Sequence, residues 1–281
     1  MPDQHRPSGS PGSPDFSGAP GSVEFAGASD ESYAPQADGR AVQGLFSRIA
    51  GVYDLLNRVL SFGLDAYWRR LLRDAVFPFP DRGTGRILDL AAGTLEVSVA
   101  LARRYPDKSI LALDFCRPML LKGLPKLAKL KKLPVRSVYP LAGDGRSLPL
   151  ADSSVDAITI AFGLRNIRPR EAAYTEALRV LVPGGRFCVL EFGSVEDRIL
   201  FGLYNLYLAH ILPLAGRLVS RSKGAYRYLA DTVAAYPAAA TLAEEMRRAG
   251  FCNVRYSRHS AGIVWLHTGE KSKGQNPKRT Y

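Results

Sequence analysis

The sequence predicts an α/β protein: a doubly wound, mostly parallel sheet with helices on both faces. Two observations predict it. Short apolar runs at 87–91, 109–114, 155–162 and 187–192 read as buried parallel strands, and helical stretches near 96–104, 117–124 and 170–181 lie between them. Residues 86–96 also read as a strand, a glycine-containing turn and the start of a helix, the sequence form of a ligand site at the carboxyl end of such a sheet. Length and composition agree. The chain has 281 residues, 46% of them apolar and 23% charged, enough for one large domain or two small ones.

Residues 1–40 are rich in Pro, Gly and Ser and hold no aliphatic run. They cannot bury enough surface to offset their ordering entropy, and they read as a disordered leader. No basic stretch precedes an apolar core there, which excludes a secretory signal. A folded domain is expected over 41–270, with a short basic tail at 271–281. The leader carries a net charge of −4 within a chain total of +12, so the body holds +16. A body that basic attracts anions, whether nucleic acid, anionic lipid or a charged cofactor. Cys116, Cys188 and Cys252 have spacings that fit neither a disulfide framework nor a metal knuckle, and they read as buried thiols in a reducing compartment.

The elements follow in order. Val42, Leu45, Phe46, Ile49, Val52, Tyr53, Leu56 and Leu60 recur at helical spacing over 42–60, and a second amphipathic stretch covers 64–76. The strands and helices of the sheet come next. Pro183-Gly184-Gly185 reads as a turn just before the strand at 187. An insertion occupies about 195–236. A helix near 240–249 ends at Gly250, and the runs 251–258 and 261–268 read as an antiparallel pair at the sheet edge.

The site residues sit where the strands end. Asp89 closes the first strand, and Gly93 and Thr94 form the turn. Asp114 ends the next strand, 21 residues after Gly93, where a carboxylate can hold both hydroxyls of a ribose. Only Gly93 is glycine between Ala92 and Val97, so the dinucleotide fingerprint is absent. That favours a nucleoside ligand without phosphates, such as S-adenosylmethionine. Asp144 and Gly145 follow the third strand signal, placed to clamp an adenine edge.

These segments resemble the UbiE-type menaquinone/ubiquinone-biosynthesis C-methyltransferases over about 42–270. The resemblance is carried by Phe46-Ser-Arg-Ile-Ala-Gly-Val-Tyr-Asp54 with Asn57, Leu60-Ser-Phe-Gly63, Trp68, Asp89-Leu-Ala-Ala-Gly-Thr94, Gly143-Asp-Gly-Arg-Ser-Leu-Pro149 and Phe162-Gly-Leu-Arg-Asn166. It continues through Arg179-Val-Leu-Val-Pro-Gly-Gly-Arg186, Leu190-Glu-Phe192, Tyr226-Arg-Tyr-Leu229, and Ala261-Gly-Ile-Val264 with His267. It implies a seven-stranded, Rossmann-like class I methyltransferase fold with an N-terminal helical cap. It also implies methyl transfer from S-adenosylmethionine to a ring carbon of a polyprenylated quinol. Cofactor contacts would fall on Thr94, Asp114, Asp144, Gly145 and Ala161, the last where the family usually has Ser.

A sharper departure is Leu95, where the family turn reads Gly-Thr-Gly-Asp. If its φ is positive, Leu costs about 1 kcal/mol or more; within the first helical turn it is tolerated.

For the chemistry, a cation near the ring hydroxyl would favour its ionisation. Arg165 is the candidate, with a structural ion pair as the alternative. Asn166 can hydrogen-bond a ring oxygen or cap a helix. Tyr53 fits the apolar stripe or the site. Asp54, off that stripe, is a candidate for positioning or proton transfer. His267 reads as a satisfied strand-end histidine rather than a base. No metal is implied.

Residues 199–219 hold only His210 and Arg217 as charge-bearing groups and read as two helices broken at Pro213 that line an isoprenoid tunnel or lie on a membrane surface, with plain core packing or a membrane span as alternatives. The stretch 119–133 interleaves Lys122, Lys126, Lys129, Lys131 and Lys132 with leucines, and can lie on anionic lipid or form a solvated helix; Pro125 interrupts any single helix. The expected setting is therefore cytoplasmic, peripheral to the inner face of the cell membrane, with a homodimer left open. Two other functions stand beside this one: a phospholipid or small-lipid methyltransferase, and a degenerate, non-enzymatic binding module suggested by Leu95 and Ala161. Nucleic-acid methylation lacks a recognisable module.

Overall fold

The computed structural model describes residues 53–81, 83–128, 138–193 and 235–274, with further positions at 43–44, 46–47, 50, 130 and 232–233. The expected leader, the Tyr226-Arg-Tyr-Leu229 segment, the apolar stretch 199–219 and most of the tail lie outside the described residues.

Seven strands form one sheet: β1 (Arg86–Leu90), β2 (Ser109–Asp114), β3 (Val138–Ala142), β4 (Val155–Ala161), β5 (Leu181–Phe192), β6 (Cys252–His259) and β7 (Val264–Glu270). Their spatial order is β3-β2-β1-β4-β5-β7-β6. The first five are parallel, and β7 runs antiparallel to both neighbours. The antiparallel pair expected from 251–258 and 261–268 is therefore present, with β6 at the edge. The chain crosses from β3 to β4 over the middle of the sheet. The strand order reverses there, leaving a crevice above the carboxyl ends of β1 and β4.

The described helices are α1 (Tyr53–Leu60), α2 (Asp65–Ala75), α3 (Glu96–Arg104), α4 (Arg117–Ala128), α5 (Arg170–Val180) and α6 (Ala239–Ala249). They cover both faces because the central strands are apolar on both. Ile87, Leu88 and Leu90 of β1 and Val155, Ile158 and Ile160 of β4 are all buried. On one face Leu72 of α2 and Leu101 of α3 pack with Ile87 and Ile110. On the other, Tyr174 of α5 and Leu242 and Met246 of α6 pack with Phe187 and Phe251. Gly250 ends α6 at φ +112, and the Phe251 N–H returns to the Met246 carbonyl at 3.1 Å, so the free end of the helix is satisfied.

Four sequence expectations change in detail. β1 and β4 stop one residue short of their expected ends because Ala91 and Phe162 both take φ +55, which turns the backbone out of the sheet. Pro183-Gly184-Gly185 lies inside β5 rather than before it. Val155 pairs with Leu181 and Ala157 with Arg186, so the extra residues bulge out, with Gly184 at φ +79. The helical pattern over 42–60 is broken by a turn at Ala50. α4 continues through Pro125 to Ala128: proline removes one backbone donor, and the donors beyond it still close the last turn.

Candidate active site

A cleft opens at the carboxyl ends of the central strands. Leu90, Ala91 and Gly93 line it after β1, Asp114 to Cys116 after β2, Gly143 to Arg146 after β3, and Ala161 to Gly163 after β4. Asn166, Ile167 and Arg168 continue the wall, and Gln43, Phe46 and Tyr53 cover it.

Asp114 organises the floor. Gly93, at φ +53, aims its N–H at Asp114 Oδ2 at 2.7 Å, and the Cys116 N–H meets Oδ1 at 2.7 Å. The carboxylate thus ties the turn after β1 to the turn after β2, with lone pairs left for a vicinal diol. Burial pushes its pKa above the ordinary carboxylate value. Asp144 is a contrasting case. Its oxygens take the Arg146 N–H at 2.8 Å and the Arg146 guanidinium at 2.7 to 3.1 Å, which holds its pKa below the ordinary value. Gly145 lies so close to its neighbours that a Cβ would stand 2.9 Å from Ile167 Cδ1 and 3.1 Å from Leu90 Cδ1.

The other sequence candidates divide. Ala161 lines the cleft at the end of β4, and Tyr53 and Asn166 line it from the cap and from the 3₁₀ turn Leu164–Asn166. Asp89 does not reach it. It is buried behind the turn, accepting from Ser98 Oγ at 2.5 Å and Thr159 Oγ1 at 3.0 Å, and burial pushes its pKa up to about 6. Thr94 and Asp54 also lie behind the cleft: the Thr94 hydroxyl donates to Asp54 Oδ1, and Lys126 Nζ donates to Asp54 Oδ2 at 2.5 Å. Arg165 is buried in an ion pair, its Nη1 donating to Glu191 Oε2 at 2.8 Å and its backbone N–H to Oε1 at 3.2 Å. The guanidinium also lies 5.5 Å from the Phe192 ring centroid. His267 lies inside β7 and is only half satisfied, its buried Nδ1 having no hydrogen-bond partner among the described residues. It is buried and its Nε2–H donates to the Ala239 carbonyl at 2.9 Å, and burial lowers its pKa.

Leu95 takes φ +66, the strained case, yet its side chain is fully buried away from the cleft, packed with Ala92, Ala112 and Leu120. Leu95 is not among the residues that line the cleft. Behind Phe162, which lines the cleft, lies an aromatic cluster outside the cleft lining. Phe162 and Phe192 lie 4.5 Å apart, and Trp68 meets both edge-on at 6.0 and 6.2 Å.

Sequence reasoning gave no role to Glu191 and assigned Lys126 to a lipid-facing or solvated stretch. Both pair across long sequence separations, and no local pattern announces such partners. The rest of that stretch is mixed. Leu120 and Leu130 are core, whereas Leu121 and Leu124 are exposed.

A seven-stranded sheet with one reversed strand, and an acidic residue ending β2 above a glycine turn, define a class I S-adenosylmethionine-dependent methyltransferase. Solved structures share the fold. A Thermotoga maritima S-adenosylmethionine-dependent methyltransferase, described as a possible histamine N-methyltransferase, superposes with a TM-score of 0.58 at 18% identity, covering 82% of this chain and 99% of that one. Phosphoethanolamine N-methyltransferase 2 of Haemonchus contortus, in complex with S-adenosyl-L-methionine, gives 0.51 at 13% identity over 73% of this chain and 52% of that one. The chain belongs to the ubiE/COQ5 methyltransferase family, whose model matches residues 34–271. It is 43% identical over 244 residues to the ubiquinone/menaquinone biosynthesis C-methyltransferase UbiE of Syntrophotalea carbinolica, covering 86% of this chain and 98% of that protein. It is 43% identical over 228 residues to the demethylmenaquinone methyltransferase of Thermus thermophilus, covering 81% and 100%. The corresponding Mycobacterium tuberculosis enzyme is 40% identical over 241 residues, covering 86% and 97%.

Proposed function

We propose that this methyltransferase methylates a ring carbon of a polyprenylated quinol, as in the conversion of demethylmenaquinol to menaquinol. The observation that carries the reading is similarity to enzymes named for that reaction over nearly their whole length, and Phe162 offers the cleft an aromatic face that suits a flat quinol ring.

The cleft fits S-adenosylmethionine: its floor presents the Gly93 turn, and Asp114 offers a nearly buried carboxylate. When bound, that group supplies an electrophilic methyl on a sulfonium. The residues of the chain bind, orient and exclude water. Asp114 receives the ribose hydroxyls and Asp144 the adenine edge. Tyr53 and Asn166 can donate to a ring oxygen and stabilise charge that develops there. Glu191 neutralises Arg165 at close range, so Arg165 acts mainly by fixing the 3₁₀ turn that presents Asn166. Ala161 leaves space where the family usually places a hydroxyl.

On this reading the enzyme works on the cytoplasmic side, in peripheral contact with anionic membrane. Exposed Leu55, Phe62, Leu121 and Leu124, with Lys122 among them, support such contact. Among the described residues no helix is long and apolar enough to cross a membrane. Incubation with labelled S-adenosylmethionine and a panel of reduced demethylquinols, followed by mass analysis, tests the acceptor. Label on a quinol ring carbon is expected. Label on a phospholipid amine, with none on any quinol, would refute the reading.

A further inference from the structure

α4 seats itself on the turn after β1 through two residues three positions apart. At Gly123 a Cβ would stand 2.6 Å from Leu95 Cγ and 2.7 Å from the Thr94 carbonyl oxygen, so only glycine lets the helix approach this closely. At Lys126 the ammonium finds three acceptors: Asp54 Oδ2 at 2.5 Å, Glu96 Oε1 at 2.6 Å and the Thr94 carbonyl at 2.8 Å. Its three protons are all taken. The acceptors belong to two separate pieces of chain, namely the cap helix α1 and the segment 94–96 that runs from the turn into the first residue of α3. The Thr94 hydroxyl closes the ring by donating to Asp54's other oxygen. From α2, Arg69 reaches Glu96 at 3.7 Å.

Each end of this cluster stands one residue from the cleft. Asp54 follows Tyr53, which lines it. Thr94 follows Gly93, whose N–H is fixed on Asp114. We propose that Lys126 is a positioning residue that couples the cap to the cofactor turn. A ligand that holds the turn in place thereby holds α1, and with it Tyr53, over the cleft. The proposal rests on the cofactor reading of the site and is independent of which molecule accepts the methyl.

The test combines S-adenosylmethionine titration by calorimetry with hydrogen exchange of 53–60, with and without that compound. In the unaltered protein, binding should slow exchange at 53–60. Lys126→Met keeps the aliphatic stem and removes the ammonium. It should weaken binding by about tenfold, the scale of one charge-assisted contact, and abolish the transmitted protection, while Lys126→Arg restores part of both. A Lys126→Met/Asp54→Ala double variant should bind no more weakly than Lys126→Met alone, because the two groups act as one unit. Should Lys126→Met fail to fold, Asp54→Asn weakens the same contact with the lysine in place and should lose the same protection. Unchanged affinity together with full protection of 53–60 in Lys126→Met, or in Asp54→Asn, would overturn the proposal. Because neither readout involves methyl transfer, a failure to methylate any quinol would count against the proposed acceptor and leave this test intact.

Discussion

Replacing Leu95 by glycine restores the residue the family turn carries, yet it should make the protein less stable and leave cofactor binding nearly unchanged. Leu95 sits at φ +66 and ψ +21, and relieving that left-handed conformation returns about 1–2 kcal/mol. Against this, the side chain is fully buried, and deleting a buried leucine down to alanine already costs about 2–5 kcal/mol. Glycine also frees the unfolded chain by a further ~0.4–1 kcal/mol. The losses exceed the relief, and the net destabilisation is about 2 kcal/mol, a Tm fall of about 4–8 °C for a domain of this size. The Leu95 side chain packs with Ala92, Ala112 and Leu120 and faces away from the cleft, so the Kd for S-adenosylmethionine should stay within about twofold, well under 1 kcal/mol. Urea unfolding followed by circular dichroism, with calorimetric titration at the same pH, measures both. A Leu95→Gly protein as stable as the original, or one that binds the cofactor tenfold tighter, would show that Leu95 obstructs the site and that its packing contributes little.

Other expectations follow from the same geometry. Asp89 binds a proton more tightly folded than unfolded, with its pKa near 6 against an ordinary value of 3.8, so its contribution to stability is present below about pH 4 and lost as pH rises to 6. Asp89→Asn should flatten that part of the stability profile, and an unchanged slope between pH 4 and 6 would contradict the assignment. Arg165→Met leaves Glu191 buried without its cation and should cost about 3–5 kcal/mol in urea unfolding. Arg165→Met/Glu191→Gln should recover much of that stability but not turnover; recovered turnover would remove the pair from the mechanism. Asp114→Asn puts an amide donor against one of two backbone donors and should raise the S-adenosylmethionine Kd by about tenfold or more by calorimetry. A variant that binds normally would place the ribose elsewhere.

What the sequence determined by itself was everything with a local signature. Apolar runs bounded by glycine and proline marked the strands, helical periodicity marked α2, α3, α5 and α6, and a carboxylate 21 residues after a glycine turn marked the cofactor floor. These are readable because each depends on backbone geometry and burial within a few consecutive residues. Only the folded chain decided which way the Leu95 side chain turns, because a positive φ sets the backbone but not the space available, and Gly123 and Leu120 supply that space from another helix. The same holds for Asp89, which looks like a binding residue by position and becomes a buried acceptor once Ser98 and Thr159 close over it. Arg165 with Glu191, and Lys126 with Asp54, are pairs of charges 26 and 72 residues apart. A charge's role is set by what stands within a few ångströms of it, and that distance exists only after the sheet has brought remote segments together.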